Sequence, residues 1–155
     1  MTGIKYITFV VVLFLMSACD KNEITDKLIG INPSIINLSN EQPESYFQLA
    51  KGDYNIEGFF LFYNENETPI SVSIDKEIRK KEQFTITMPN GNEAKFLCKN
   101  GIILKIELGF MTLSKVGYGK YKILYNENTK QKRPFSMTIG FFVPDGISTV
   151  HILFK

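Results

Sequence analysis

Between Phe135 and Val143 every second residue is apolar: Phe135, Met137, Ile139, Phe141 and Val143, with Ser136, Thr138 and Gly140 between them. Side chains two apart share one face of a strand but scatter around a helix, so this run can bury itself only as a strand with one face inward. The same period recurs along the chain. Ile70, Val72 and Ile74 alternate with serines, Phe84, Ile86 and Met88 alternate with threonines, and Ile102, Leu104, Ile106 and Leu108 flank Lys105 and Glu107. Tyr121, Ile123 and Tyr125 form another set, and Val150, Ile152 and Phe154 the last. Asn90-Gly91, Asn100-Gly101 and Asp145-Gly146 fall between such runs, and these residue types accept the positive φ of a tight hairpin. Weaker strands fit Ser34–Leu38, Tyr46–Ala50 and Ile56–Tyr63, giving about nine in all. Helical periodicity is absent apart from one charged turn at Asp75–Glu82. The expectation is an all-β domain over residues 31–155, built as two packed antiparallel sheets.

The N-terminal segment obeys a different logic. Lys5 precedes a nearly unbroken apolar run from Ile7 to Met16, then Ser17, Ala18 and Cys19. Such a run is short for a membrane span, which needs about 20 apolar residues, and it has the layout of a secretory signal. Leu15-Met16-Ser17-Ala18-Cys19 resembles a bacterial lipobox. That resemblance implies a signal peptide over residues 1–18, cleavage before Cys19 and acyl chains on its thiol. Residues 19–30 would then be a lipidated tether, and the protein a lipoprotein of the cell envelope, held to the outer membrane on its periplasmic or outer side. Each buried methylene adds about 0.8 kcal/mol to such an anchor. The alternative is a plain exported protein in which Cys19 stays an ordinary thiol.

Charge and composition narrow the partners. With 18 basic and 16 acidic residues the net charge is +2, so nothing marks a phosphate-coated partner, and nucleic acid is not expected. One His and two Cys leave little for zinc or nucleophilic chemistry, and no metal or cofactor is expected.

The stretch Gly119-Lys120-Tyr121-Lys122-Ile123, then Asn126–Thr129, then Arg133 opening the alternating strand, resembles the end of a BACON domain. This is an immunoglobulin-like β-sandwich module of exported Bacteroidetes proteins. Ile31-Asn32-Pro33-Ser34 is similar to the family's first strand, whereas its central Trp has no counterpart here. The resemblance covers the C-terminal third. It implies an immunoglobulin-like antiparallel sandwich of about eight to nine strands, with Asn128 and Arg133 at the family's Asn and Arg positions, and it suggests carbohydrate attachment. Both residues also read as scaffold, a turn residue and an interstrand partner.

Individual candidates differ in side-chain chemistry. His151 is out of phase with its apolar neighbours and points away from the main apolar face; a triad would need an orienting acid. Cys98 follows Ala94 and Phe96 in period two and reads as a buried free thiol. Asp20, Glu23 and Asp26 lack the glycine turn of a calcium loop. Glu57, Glu65, Glu67, Asp75 and Glu107 are the carboxylates that a glycosidase pair would draw on. Tyr63, Tyr118 and Asn128 are the expected ligand contacts, with Tyr46, Asn64, Asn66 and Gln131 near them in kind: aromatic rings for stacking and amides for hydroxyl groups. Phe59–Tyr63 lacks alternation, so it is either a strand covered on both faces or one with a face left open to a partner. Two roles follow: a non-catalytic anchored module that binds glycan or another surface component, or an accessory lipoprotein that makes protein contacts.

Overall fold

A computed structural model describes residues 30–50, 52–144 and 146–155. Cys19, the signal segment, the tether up to Ile29 and Asp145 lie outside the described residues. The strands are β1 (Ile31–Asn32), β2 (Ile35–Leu38), β3 (Glu44–Leu49), β4 (Ile56–Phe62), β5 (Ile70–Ser73), β6 (Gln83–Thr87), β7 (Glu93–Lys99), β8 (Ile102–Leu108), β9 (Met111–Gly117), β10 (Lys120–Tyr125), β11 (Ser136–Val143) and β12 (Gly146–Phe154). Among the described residues a single 3-10 turn, at Ile78–Lys80, occupies the charged segment.

Two sheets form the expected all-β sandwich. The seven-stranded sheet has the order β1-β3-β10-β9-β8-β7-β6 and the five-stranded sheet the order β2-β12-β11-β4-β5. Among the described residues there are twelve strands where about nine were expected. The additions are β1, two residues long, β7, and β9, in which Lys115 breaks the apolar alternation. One pairing departs from the antiparallel expectation: β2 runs parallel to β12, from His151↔Ile35 to Phe154↔Leu38. The chain reaches β2 by leaving one sheet for the other through Asn32-Pro33, whose peptide is cis.

Most alternating runs bury the faces their period implies; β8 departs at its start, where a register shift against β7 leaves Ile102 40% exposed and buries Ile103. Met137, Ile139, Phe141 and Val143 are all at most 2% exposed, while Phe135, just before β11, keeps 41% of its surface. Two aromatic clusters join the sheets. Phe47 of β3 stacks on Tyr121 of β10 with centroids 5.1 Å apart, and Phe141 from the opposite sheet meets both rings edge-on. At the other end of the core, Phe154 meets Phe110 and Tyr125. Each such ring buries about 150–250 Å² or less, so these clusters dominate the hydrophobic term. Hairpin turns close as the sequence implies: Asn100 and Gly101 have φ of 53° and 76°, and Gly91 has 82°.

Register sorts the loops into two ends. The β4–β5, β6–β7, β8–β9 and β10–β11 connections share one end, and the β3–β4, β5–β6, β7–β8 and β9–β10 connections share the other.

Candidate functional site

The two outer faces of the sandwich differ in chemistry. On the seven-stranded sheet the outward positions carry ions: Lys122 pairs with Glu44 at 2.8 Å, Lys105 pairs with Glu107, and Lys120 and Lys122 stand 5.6 and 5.7 Å from the Tyr46 ring centre. Lys122 and the Tyr46 hydroxyl, which donates to Glu44 at 2.6 Å, hold the Glu44 carboxyl below its ordinary pKa. This face is made for water.

The outer face of the five-stranded sheet has no Lys, Arg or Asp at any outward strand position, and its one carboxylate, Glu57, sits at a margin. Cross-strand register lays Ile35, His151, Thr138, Phe60 and Ser71 in one row over five strands. Phe60 is 46% exposed, Phe142 61%, Ile147 58% and Ile35 57%. The next row contains the pair Gly140↔Gly58. With no side chain on either strand there, the sheet dips into a groove of about 220 Å³ walled by Phe60 on one side and Ile147 on the other. Gly58 is required for close approach: a Cβ there would stand 2.2 Å from the Val72 carbonyl oxygen of β5. His151 lies on this face, as its phase implied, with Nδ1 at 2.9 Å from the Thr138 hydroxyl and Nε2 at 3.4 Å from that of Thr149. Its ring partners are hydroxyls, and no carboxylate orients it.

Glu57 owes its position to a β-bulge. Gly140 pairs with Gly58 but the next residue, Phe141, pairs with Ile56, so Glu57 is an extra residue in β4. Bulges re-aim side chains, and this one places Glu57 between the groove and the loop end beyond it.

The expected ligand contacts do not converge. Tyr118 is 74% exposed on the β9–β10 turn, at one end of the sandwich. Tyr63 and the exposed Asn128 are at the other. Tyr63 is half-buried, its hydroxyl is shut off from solvent near Asn90 and Asn92, and burial pushes its pKa up. Gln131 accepts the Gly109 N–H at 3.1 Å, and Asn64 closes its own loop with Glu67 and Asn66. Arg133 is scaffold: its Nη1 donates to the Tyr125 hydroxyl at 2.8 Å and to the Lys155 carbonyl at 2.9 Å. Cys98 is a buried free thiol whose pKa burial pushes up. The five candidate carboxylates lie apart: Glu57 on β4, Glu107 on the other sheet, Glu65 and Glu67 at one end and Asp75 at the other. Among the described residues no three His, Cys, Asp or Glu side chains gather to hold a metal.

The open-face reading of Phe59–Tyr63 is the one the structure selects. Phe59 and Leu61 are buried, while Phe60 faces out. Phe142, Ile147 and Ile35 were not singled out in the sequence, although each is an apolar residue in the wrong phase of its strand. Comparison with protein-family models, with curated proteins and with solved structures yields no match.

Proposed function

We propose that the protein is an exported, membrane-anchored, non-catalytic module that docks another exported protein through the outer face of its five-stranded sheet. The carrying observation is that the outward strand positions of that face hold a single ionic side chain, Glu57 at the margin, beside a charged opposite face. Loss of charge with exposed aromatic and aliphatic residues is the signature of an interface core. The five strands, of 4, 9, 8, 7 and 4 residues, at about 3.3 Å per residue and about 4.8 Å apart, span roughly 500 Å². This is more than half of the roughly 800 Å² that each partner contributes to a standard interface. The partner's chemistry follows: an uncharged, apolar protein surface with a ridge that fills the Gly58–Gly140 groove. Leu15–Cys19 supplies the anchor in this reading.

Glycan binding ranks second. The BACON resemblance and the 74% exposed ring of Tyr118 favour it, but stacking gains specificity only where amides stand beside the ring, and Asn128 is at the far end of β10.

A photo-crosslinking residue at position 147 or 60, and as a control at position 95 on the charged face, tests the reading in intact cells. Position 147 or 60 should yield one dominant exported protein adduct and position 95 none, and Phe142→Glu should abolish the adduct without changing Tm. Equal adducts from both faces, or none, would overturn it. A polysaccharide bound in a glycan array and lost with Tyr118→Ala would put the second reading in its place. Cys19→Ala should move the protein from the membrane to the soluble fraction; retention would refute the anchor.

A further inference from the structure

At the end of the sandwich that carries the β3–β4, β5–β6 and β7–β8 connections, a hollow of about 750 Å³ opens between the sheets. This is within the range of small-molecule sites, roughly 300–1,000 Å³. Its walls are fixed. Asn55 donates to the Gly101 carbonyl at 2.6 Å and accepts from the N–H groups of Ile56 and Ile103, each at 3.1 Å, which spends its amide on tying β4 to the β7–β8 turn. Asp53 is spent as well, on Lys115 and on the Gly119 N–H at 2.9 Å.

Three charged groups keep capacity for a ligand. Arg79 donates from Nε and Nη2 to the Ile74 carbonyl, at 3.2 and 2.7 Å, which orients its guanidinium and leaves Nη1 unused. Lys76 lies on the same rim, whereas Lys80 is paired with Glu77 at 2.5 Å. Glu57, re-aimed by the bulge, lines the same hollow, and its Oε2 is buried without a hydrogen-bond partner. A buried carboxylate oxygen left unpaired is costly, and a donor that reached it would remove that cost.

From this arrangement we infer that the hollow binds a small zwitterion of the amino-acid type, a free amino acid or a short peptide, with its carboxylate on Arg79 and Lys76 and its ammonium on Glu57. A plain anion would face the Glu57 carboxylate, and a plain cation would face Arg79 and Lys76. Only a ligand with both signs matches both kinds of group lining the hollow, and an anchored guanidinium presents the planar edge that a carboxylate prefers. The inference goes beyond the docking role and does not depend on it.

Amide-resolved NMR titration of the folded domain with glycine, glutamate and triglycine tests it, with N-acetyltriglycine and triglycine amide as blocked probes. Shifts should concentrate at Ser73, Gly101 and Phe142. Blocking either end of triglycine should weaken binding about tenfold or more, the scale of one charge-assisted hydrogen bond. Glu57→Gln should erase the difference between free and acetylated triglycine while the amide still binds worse. Arg79→Lys should retain more affinity than Arg79→Gln, which controls for loss of the Ile74 contact. No shifts with any probe up to about 10 mM, or equal affinity for blocked and free triglycine, would overturn the inference. So would Glu57→Gln binding like the parent.

Discussion

Gly58→Ala should damage the domain far more than Gly140→Ala, although the two glycines face each other across one pair. An added Cβ at Gly58 would lie 2.2 Å from the Val72 carbonyl oxygen and 3.2 Å from Ser73 Cα, both backbone atoms of β5. Ordinary contact begins at 3.4 Å, so β5 must retreat by about an ångström. Retreat disturbs the pairs Gly58↔Ser73 and Phe59↔Val72, strains the hydrogen bond from the Ile74 N–H to the Glu57 carbonyl at 2.9 Å, and loosens Val72 and Ile74 in the core. Overpacking of this kind costs about 1–3 kcal/mol and a weakened hydrogen bond about 1 more, against a gain of about 0.5–1 from replacing a strand glycine. The net is about 1–3.5 kcal/mol with a midpoint near 2, or roughly 8 °C in Tm at that midpoint for a domain of this size. At Gly140 the new Cβ meets the Ile147 Cγ2 methyl at 3.2 Å and the Gly58 carbonyl oxygen only at 3.8 Å, and Ile147 is 58% exposed, so a shift of a few tenths of an ångström toward solvent relieves the contact. Its change should stay within about 0.5 kcal/mol. Urea unfolding with m held in common measures both. If Gly58→Ala fell within about 1 kcal/mol of Gly140→Ala, the close approach of β4 and β5 would not be a constraint, and the reasoning would fail.

Three further outcomes are expected. Cys98 is buried with a raised pKa, so iodoacetamide at neutral pH should label it only as fast as the domain opens; labelling in native protein at the rate of a free thiol, read by intact mass, would refute its burial. Arg133→Ala removes the donor to Tyr125 and Lys155 and should cost about 1 kcal/mol, with faster hydrogen exchange confined to the end of β12. For Glu44, whose carboxyl is held low by Lys122 and Tyr46, the folded pKa lies below the unfolded one. Its contribution is therefore present at neutral pH and lost as pH falls through the lowered folded value. Lys122, raised chiefly by Glu44, keeps its contribution below its unfolded pKa and loses it as pH rises through the folded value. Glu44→Gln should flatten the acid limb of a Tm-against-pH curve, and an unchanged limb would show that the pair contributes nothing.

The fold was largely legible because its signal is periodic. Alternation in β5, β6, β10, β11 and β12 placed each strand and its buried face, and the Asn-Gly pairs placed two hairpins; β8 was placed as a strand, but a register shift against β7 turns Ile102 outward and Ile103 inward. What escaped depends on partners distant in sequence. Met111 and Leu113 alternate like a strand, but Lys115 points inward to meet Asp53, 62 residues away, and so hides β9. Nothing local announces that β2 lies parallel to β12. The bulge in β4 did leave a trace: buried positions shift from the even Ile56 to the odd Phe59 and Leu61. Apolar Phe60, Phe142 and Ile147 stood in the wrong phase, and their meaning emerged only when register brought them onto one face. Tyr118 and Asn128 were chosen by residue type, which carries no information about distance.

The route by which the chain enters the sandwich has a mechanical consequence. Tension applied upstream of Gly30 falls first on β1, held by the two pairs Ile31↔Leu49 and Asn32↔Gln48, and should strip it at low load. Beyond Pro33 the pull reaches β2, whose four pairs with β12 run parallel. Stretched between its N-terminal lead and Lys155, the molecule would load those rungs together in shear rather than peel them one by one. A tethered copy would thus yield slightly at first and then resist, with the second step much stiffer than the first.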